Sequence, residues 1–471
     1  MRPRVIILAG LLALAPLAAS ADTIHLKNGR SIVADQVRES GSHYEYSIGD
    51  NTYAIPKAAV DHIDAGGMPS SSPAVSAMPD LPAFSPVTRL AEDSSVYAAL
   101  VKDDKVNADV LSGIESKGNA EVSATANFIA GKFEFDHGNI AQSRQYFESA
   151  LRFQPENSTI LVYYSALLIR TGNASQALTY AQRAVAAAPS SPDALTMLGY
   201  AEFASDRTKE AIASWNKSLE LRPDPAVKQL LAKAQREQSV ESQFSQGESS
   251  HFVLHYEGHQ TSEAFRAQVI AALESDYDDL ARDLGTPPRD NILVTLYTEQ
   301  AFFDVTDAPS WSGAMNDGKL RIPVNGLTTV TPELARVLKH ELAHSFINQL
   351  SGGRCPPWLH EGIAQLLEPK SLGGDGHQLA VLFKTQQNIP LNALEGSFLN
   401  FSGGAAYLAY AESLAAVSYI NDSYGMGDIQ RILQRLSQGS STEAALRATI
   451  HSDYGQLESD LARYLADHYG D

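Results

Sequence analysis

Cysteine is nearly absent: Cys355 is the only one among 471 residues. No intramolecular disulfide is possible, so the fold must rest on packed cores. Cys355 is read as a buried thiol rather than a metal ligand. Excess positive charge is also missing. The formal charge is −19, and it becomes −21 without the first 21 residues, which carry Arg2 and Arg4 and no acid. Non-specific binding to nucleic acid or anionic lipid is thereby disfavoured. Long apolar runs are lacking too. Only Val5 to about Leu17 qualifies, and Pro16 interrupts it short of the ~18 residues a span needs. The basic start, this run and Ala19-Ser20-Ala21 read as a secretory signal cut before Asp22. The expectation is an exported chain, periplasmic or secreted, with no stable membrane insertion. The leader has no cysteine for a lipid anchor.

What is present divides into a multidomain chain. Residues 22–64 alternate in strand fashion around Asn28-Gly29 and again near Gly49-Asp50-Asn51. Four or five short strands predict a small SH3-like β unit, with docking as its default role. Residues 65–90 are rich in Pro, Ser, Gly and Ala and read as a linker. Residues 91–245 read as a helical region. Within it Pro155, Pro189 and Pro223 recur at one fixed interval. Ala177 and Ala211 precede the later two by twelve, Ala184 and Ser218 by five; Gly131 and Gly199 precede the first and third by 24. The interval and its small residues resemble the tetratricopeptide repeat, a helix–turn–helix unit of about 34 residues. Three units over about 124–225 would stack into a superhelix whose concave face holds a protein partner. Phe147 and Trp215 are expected to fill the space between units.

From about residue 250 to 471 the texture is α+β. Strands are predicted near 251–259, 291–298 and 318–326, the last demoted to an edge by Pro323. A helix is predicted over 262–284, ending at Gly285. Mostly helical sequence follows from Thr331. Thr331-Pro332-Glu333 opens a helix carrying VLKHELAHSFINQL. His340 and His344, four apart, project from one face, and two such imidazoles can close on one Zn²⁺ at ~2.1 Å each. Glu341 beside them can take a proton from an activated water and return it to a leaving amine. The surrounding Val337, Leu338, Leu342, Ala343, Phe346 and Ile347 are apolar. Polar groups on so buried a helix need partners, which a metal supplies.

A second element, CPPWLHEGIAQLLE, begins at Cys355, soon after His344. HELAH followed by WLHEGIAQ resembles the gluzincin metallopeptidases, in which a W-L-x-E-G-x-A segment supplies the third ligand. The resemblance spans roughly residues 251–430 and implies a zincin-like domain with Glu361 as that ligand. It also implies close helix packing at Gly362. His360 is the alternative third ligand, although on a helix it points about 100° away from Glu361. Residues 347 and 350 are Ile and Leu, which excludes the longer H-E-x-x-H-x-x-G-x-x-H arrangement. A similar segment in the family matches AAYLAYAES here. It implies Tyr410 as a hydrogen-bond donor to the oxyanion, with Tyr407 as alternate. The resemblance further implies that the strand 318–324 holds an extended peptide, with Phe302, Phe303 and Trp311 before it in the chain. Residues 370–404 read as a long Gly-rich loop able to hold the site inactive.

These readings combine into a zinc endopeptidase acting on exported proteins or peptides, with repeats that recruit partner or substrate. The competing reading is a repeat-based binding, assembly or quality-control factor with a weakly active or inactive peptidase fold.

Overall fold

Six short strands open the chain: β1 (Asp22–Leu26), β2 (Ser31–Ala34), β3 (Gln36–Ser40), β4 (His43–Ile48), β5 (Asn51–Pro56) and β6 (Val60–Asp64). They form two antiparallel three-stranded sheets, ordered β2-β1-β6 and β3-β4-β5. That is one strand more than the alternation predicted. The computed structural model describes residues 22–27, 31–34, 36–48, 51–64, 94–102, 105–258, 261–306, 314–324, 326–396, 398, 401 and 403–470. The leader, the linker, both predicted turns at Asn28-Gly29 and Gly49-Asp50, and Trp311 lie outside the described residues. One compact unit takes residues up to Ser70 with Phe401–Tyr407; a second takes Ser71–Asn400 with Leu408–Asp471.

The second unit begins with α1 (Ser94–Leu100), a small hairpin of β7 (Val101–Lys102) and β8 (Lys105–Val106), and α2 (Ala108–Glu115). Three antiparallel helix pairs follow: α3 (Ala120–Asp136) with α4 (Ile140–Phe153), α5 (Ser158–Arg170) with α6 (Ala174–Ala187), and α7 (Pro192–Ala204) with α8 (Thr208–Leu221); α9 (Pro225–Glu241) packs on the last. The phased prolines fall two residues beyond the ends of α4, α6 and α8, where a missing N–H and a fixed φ stop the helix. Side chains of Asn119, Asn139, Asn157, Ser191 and Asp224 accept from free N–H groups at helix starts. The glycines explain the aromatics. A Cβ on Gly131 would sit 2.7 Å from the Phe147 ring, and one on Gly199 would sit 2.5 Å from Trp215. Each ring therefore lies on the backbone of its own partner helix. Phe147 reaches the space between units, as expected. Trp215 meets Tyr200 and Phe203 of its own pair, and only Phe147 also reaches a ring of the next pair, Tyr163.

The remainder is a sheet with helices. Its elements are β9 (Ser245–Glu248), β10 (Phe252–Tyr256), α10 (Glu263–Leu284), β11 (Ile292–Tyr297), α11 (Glu299–Thr306), β12 (Met315–Asn316), β13 (Leu320–Pro323), α12 (Pro332–Ser351), α13 (Pro357–Leu367), α14 (Asp375–Lys384), α15 (Gly403–Tyr424), α16 (Met426–Ser437), α17 (Thr442–Ile450) and α18 (Tyr454–Tyr469). The strand order is β12-β13-β11-β10-β9. The pairs of β10, β11 and β13 are parallel, and both flanking pairs are antiparallel. The predicted edge is thus displaced by one strand. β12 covers Leu320 and Arg321 only, so Pro323 sits beyond that pairing and costs the ladder nothing there. The expected loop 370–404 is corrected as well. It holds α14 and a 3₁₀ turn at Leu391–Glu395. α14 packs on α18 so closely that a Cβ at Gly376 would meet the Tyr469 ring at 2.3 Å. Phe302 is wholly buried against Tyr297 and belongs to the core.

Repeats and sheet are joined by buried charge. Arg321 of β13, with no exposed surface, bonds Glu237 of α9 at 2.7 Å and Asp317 at 3.0 Å, and donates to Tyr297 Oη at 2.7 Å. Lys319 pairs with Glu237 and, at 3.3 Å, with Asp206 from the turn between α7 and α8. Lys233 reaches Asp317 at 2.5 Å and His255 reaches Asp206 at 2.9 Å. Helices of the repeats therefore supply counter-ions to a hairpin of the sheet, fixing one against the other.

Candidate metal centre

Thr331 caps α12 through its Oγ1, which accepts from Leu334 N at 3.2 Å, and Pro332 occupies the first turn. Gly352, at φ 63°, ends the helix in the left-handed region that favours glycine. α13 starts at Pro357 and packs on α12. It also packs on α15, because Gly362 has no side chain. A Cβ there would lie 2.3 Å from the Ser413 carbonyl oxygen. This approach positions the Glu361 carboxylate.

His340, His344 and Glu361, all buried, each place one donor atom within 4.8 Å of the others. His340 Nε2 stands 3.4 Å from Glu361 Oε2, and His344 Nε2 stands 3.9 Å from Glu361 Oε1. Both exceed a good hydrogen bond. Two donors each ~2.1 Å from one tetrahedral ion stand ~3.4 Å apart, so the spacing suits a shared cation. His344 Nδ1 and Glu341 Oε1 are buried without hydrogen-bond partners. Two imidazoles and a carboxylate are a donor set for a divalent transition metal, and the residues present fit one.

Electrostatics follow from burial. Burial pulls His340 down, but the Glu361 and Glu368 carboxylates outweigh it and lift the imidazole to about 10. Burial, followed by neighbouring His360 and His340, holds His344 well below its usual value. Burial pushes Glu341 up to about 8, against the lowering pull of His340. His360 is drawn down to about 4 by burial. Its ring lies 4.6 Å from that of His344, and its nitrogens stand outside the donor cluster. Cys355 is buried, stands outside the cluster, and has its thiol pushed up by burial.

Tyr410 lies on α15, its ring edge-on to Phe398 at 5.5 Å, and its carbonyl accepts from Gln365 Nε2 of α13 at 3.0 Å. Tyr407 is exposed. Sequence reasoning missed two residues. Glu368 places Oε2 3.7 Å from His340 Nδ1, the side away from Glu361. Its position seven after Glu361, two turns along one helix face, was the available signal. Asn316 of β12 donates through Nδ2 to the Glu341 carbonyl oxygen at 2.7 Å and to Ser345 Oγ at 2.8 Å, tying the edge strand to α12. Nothing in the sequence pointed to it.

Residues 275–467 match the family model described as Peptidase MA superfamily, and residues 168–234 match that of the tetratricopeptide repeat. The chain thus carries a tetratricopeptide-repeat region followed by a Peptidase MA superfamily domain, a superfamily in which metal dependence is usual. Among curated proteins nothing matches. Solved structures similar to parts of the chain include the first TPR of Spaghetti (RPAP3) bound to an HSP90 peptide, at 21% identity, covering 25% of this chain and 93% of that one with a TM-score of 0.24. MamA from Desulfovibrio magneticus RS-1 matches at 20%, covering 28% and 75%, TM-score 0.25. A Thermobaculum terrenum O-GlcNAc transferase mutant matches at 14%, covering 75% and 98%, TM-score 0.22.

Proposed function

We propose that the protein is an exported zinc endopeptidase of the gluzincin type, hydrolysing peptide bonds in exported proteins or peptides. The observation that carries this reading is the convergence of His340, His344 and Glu361 within 4.8 Å, with the buried Glu341 on the same helix. His340, His344 and Glu361 hold the metal in this account. Zinc, when bound, polarises the scissile carbonyl, lowers the pKa of a nearby water, and favours the ionised form of Glu341.

The chain's own residues do the rest. Glu368, facing His340 Nδ1, orients that ring so that Nε2 points toward Glu361. Glu341 accepts the proton of the attacking water and delivers it to the leaving amine. Asn316 holds the backbone at Glu341 and so fixes where that carboxylate begins. Tyr410, on the helix packed against the Glu361 turn, donates to the developing oxyanion. The repeats recruit a protein partner or substrate, and the N-terminal strands form an SH3-like docking unit.

The test is hydrolysis of a denatured protein substrate by the mature chain. Glu341→Gln should keep its metal and lose activity by about 10²–10⁴-fold, chelation should abolish turnover, and Tyr410→Phe should lower kcat with little change in KM. Hydrolysis untouched by both Glu341→Gln and chelation defeats the assignment.

A further inference from the structure

We propose that the cleft between the second repeat and the C-terminal half of α12 is a second binding site, for a hydrophobic carboxylate. It goes beyond the peptidase reading and requires neither metal nor turnover. The cleft has a volume of about 380 Å³, the size of small-ligand sites. Ile169, Ala204, Ile292 and Leu293 give it apolar walls.

Its polar lining holds a single carboxylate. Arg354, half-buried, has no ion pair among the described residues, and its Nε is buried without a hydrogen-bond partner. Burial lowers the guanidinium's pKa with no carboxylate near enough to oppose it. Asn348 and Gln349 line the same space, and their side-chain amides make no hydrogen bond among the described residues. The one acid of the lining, Asp290, is already engaged: it accepts from Ser175 N at 3.2 Å and from Ser175 Oγ at 2.7 Å. A buried donor without an acceptor, as Arg354 Nε is, is costly, and an anion that accepts from it removes that cost.

The arginine is also held in place beforehand. Its Nη1 lies against Gly138, at φ +75°, where a Cβ would stand only 1.4 Å away. The turn between α3 and α4 therefore presents the guanidinium fork at a fixed position. Arg354, beside a second lining cation, Arg170, stacked on Phe135 at 4.3 Å, is flanked by amides and apolar walls and suits a planar anion on an apolar body. Such a group arrives either as a free small acid or as the C-terminus of a peptide.

Calorimetric titration of the full chain distinguishes these sources, using N-acetyl-leucine, N-acetyl-leucinamide and N-acetyl-Ala-Ala-Leu with a free C-terminus. Both acids are expected to bind saturably, and the amide at least tenfold more weakly. Tighter binding of the tripeptide assigns a peptide C-terminus; tighter binding of the amino acid assigns a free acid. Arg354→Gln, with an unchanged melting temperature, should weaken the acids at least tenfold and leave the amide alone, while Arg354→Lys keeps part of the affinity. Chelation should change nothing, because the metal centre is not involved. Equal affinity for acid and amide, wild-type affinity in Arg354→Gln, loss of binding on chelation, or no saturable binding at millimolar concentrations overturns the proposal.

Discussion

Replacing Arg321 with methionine tests whether repeats and peptidase domain are one cooperative body. The side chain has no exposed surface and neutralises Glu237, Glu241 and Asp317, whose own side chains are 1%, 9% and 2% exposed. Removing one partner of a buried ion pair costs about 3–5 kcal/mol, because the remaining charges stay desolvated. For a unit this large each kcal/mol shifts Tm by about 2 °C, so a fall of about 6–10 °C is expected by calorimetry. The transition should remain single in the wild type. The pH dependence has a definite sign. Burial raises Asp317 and Glu237, but Arg321 and the neighbouring lysines outweigh it and hold both carboxyls below their usual range. Their contribution is fully present above the unfolded values of about 4 and is lost as pH falls through the folded ones. In Arg321→Met the orphaned carboxylates take up protons more readily, so the deficit should shrink between pH 7 and pH 4. Adding Glu237→Gln should restore part of the loss. A Tm change under about 2 °C, or two separate wild-type transitions, refutes the reasoning.

Two further outcomes follow. Gly362→Ala drives a Cβ to 2.3 Å from the Ser413 carbonyl oxygen, which should cost about 1–3 kcal/mol in denaturant unfolding and weaken metal retention by displacing Glu361. Metal uptake should strengthen with pH. His340 titrates at about 10 in the metal-free protein and must be neutral to coordinate. Each ion bound between pH 6 and 8 therefore displaces at least the His340 proton, and competition with a chelator should show at least about tenfold tighter binding per pH unit.

The helix carrying both histidines was legible because its signals are local: the Thr331 cap, Pro332, the Gly352 stop and the His340–His344 spacing all lie within one segment. The helix ending at Gly285 and the phased prolines were legible for the same reason. The third donor needed the resemblance carried by WLHEG, since spacing alone did not separate Glu361 from His360. What escaped depends on contacts between distant segments. GKLRIP reads as an edge strand, yet Lys319 and Arg321 are buried because α9, far earlier in the chain, supplies Glu237 as counter-ion. Glu368 acquires its place beside His340 only from the packing of α13 on α12. Gly131 and Gly199 were visible as a pattern, but their partner within the pair, rather than between pairs, is a matter of which face of the helix meets the ring.

The account stands on a shared metal, and the direct measurement is the metal content of the purified full chain after zinc loading and removal of excess. One zinc per chain is expected, falling to background in His340→Ala and His344→Ala and surviving in Glu341→Gln. A wild-type chain that retains no zinc, or histidine variants that retain as much as it does, would contradict the claim.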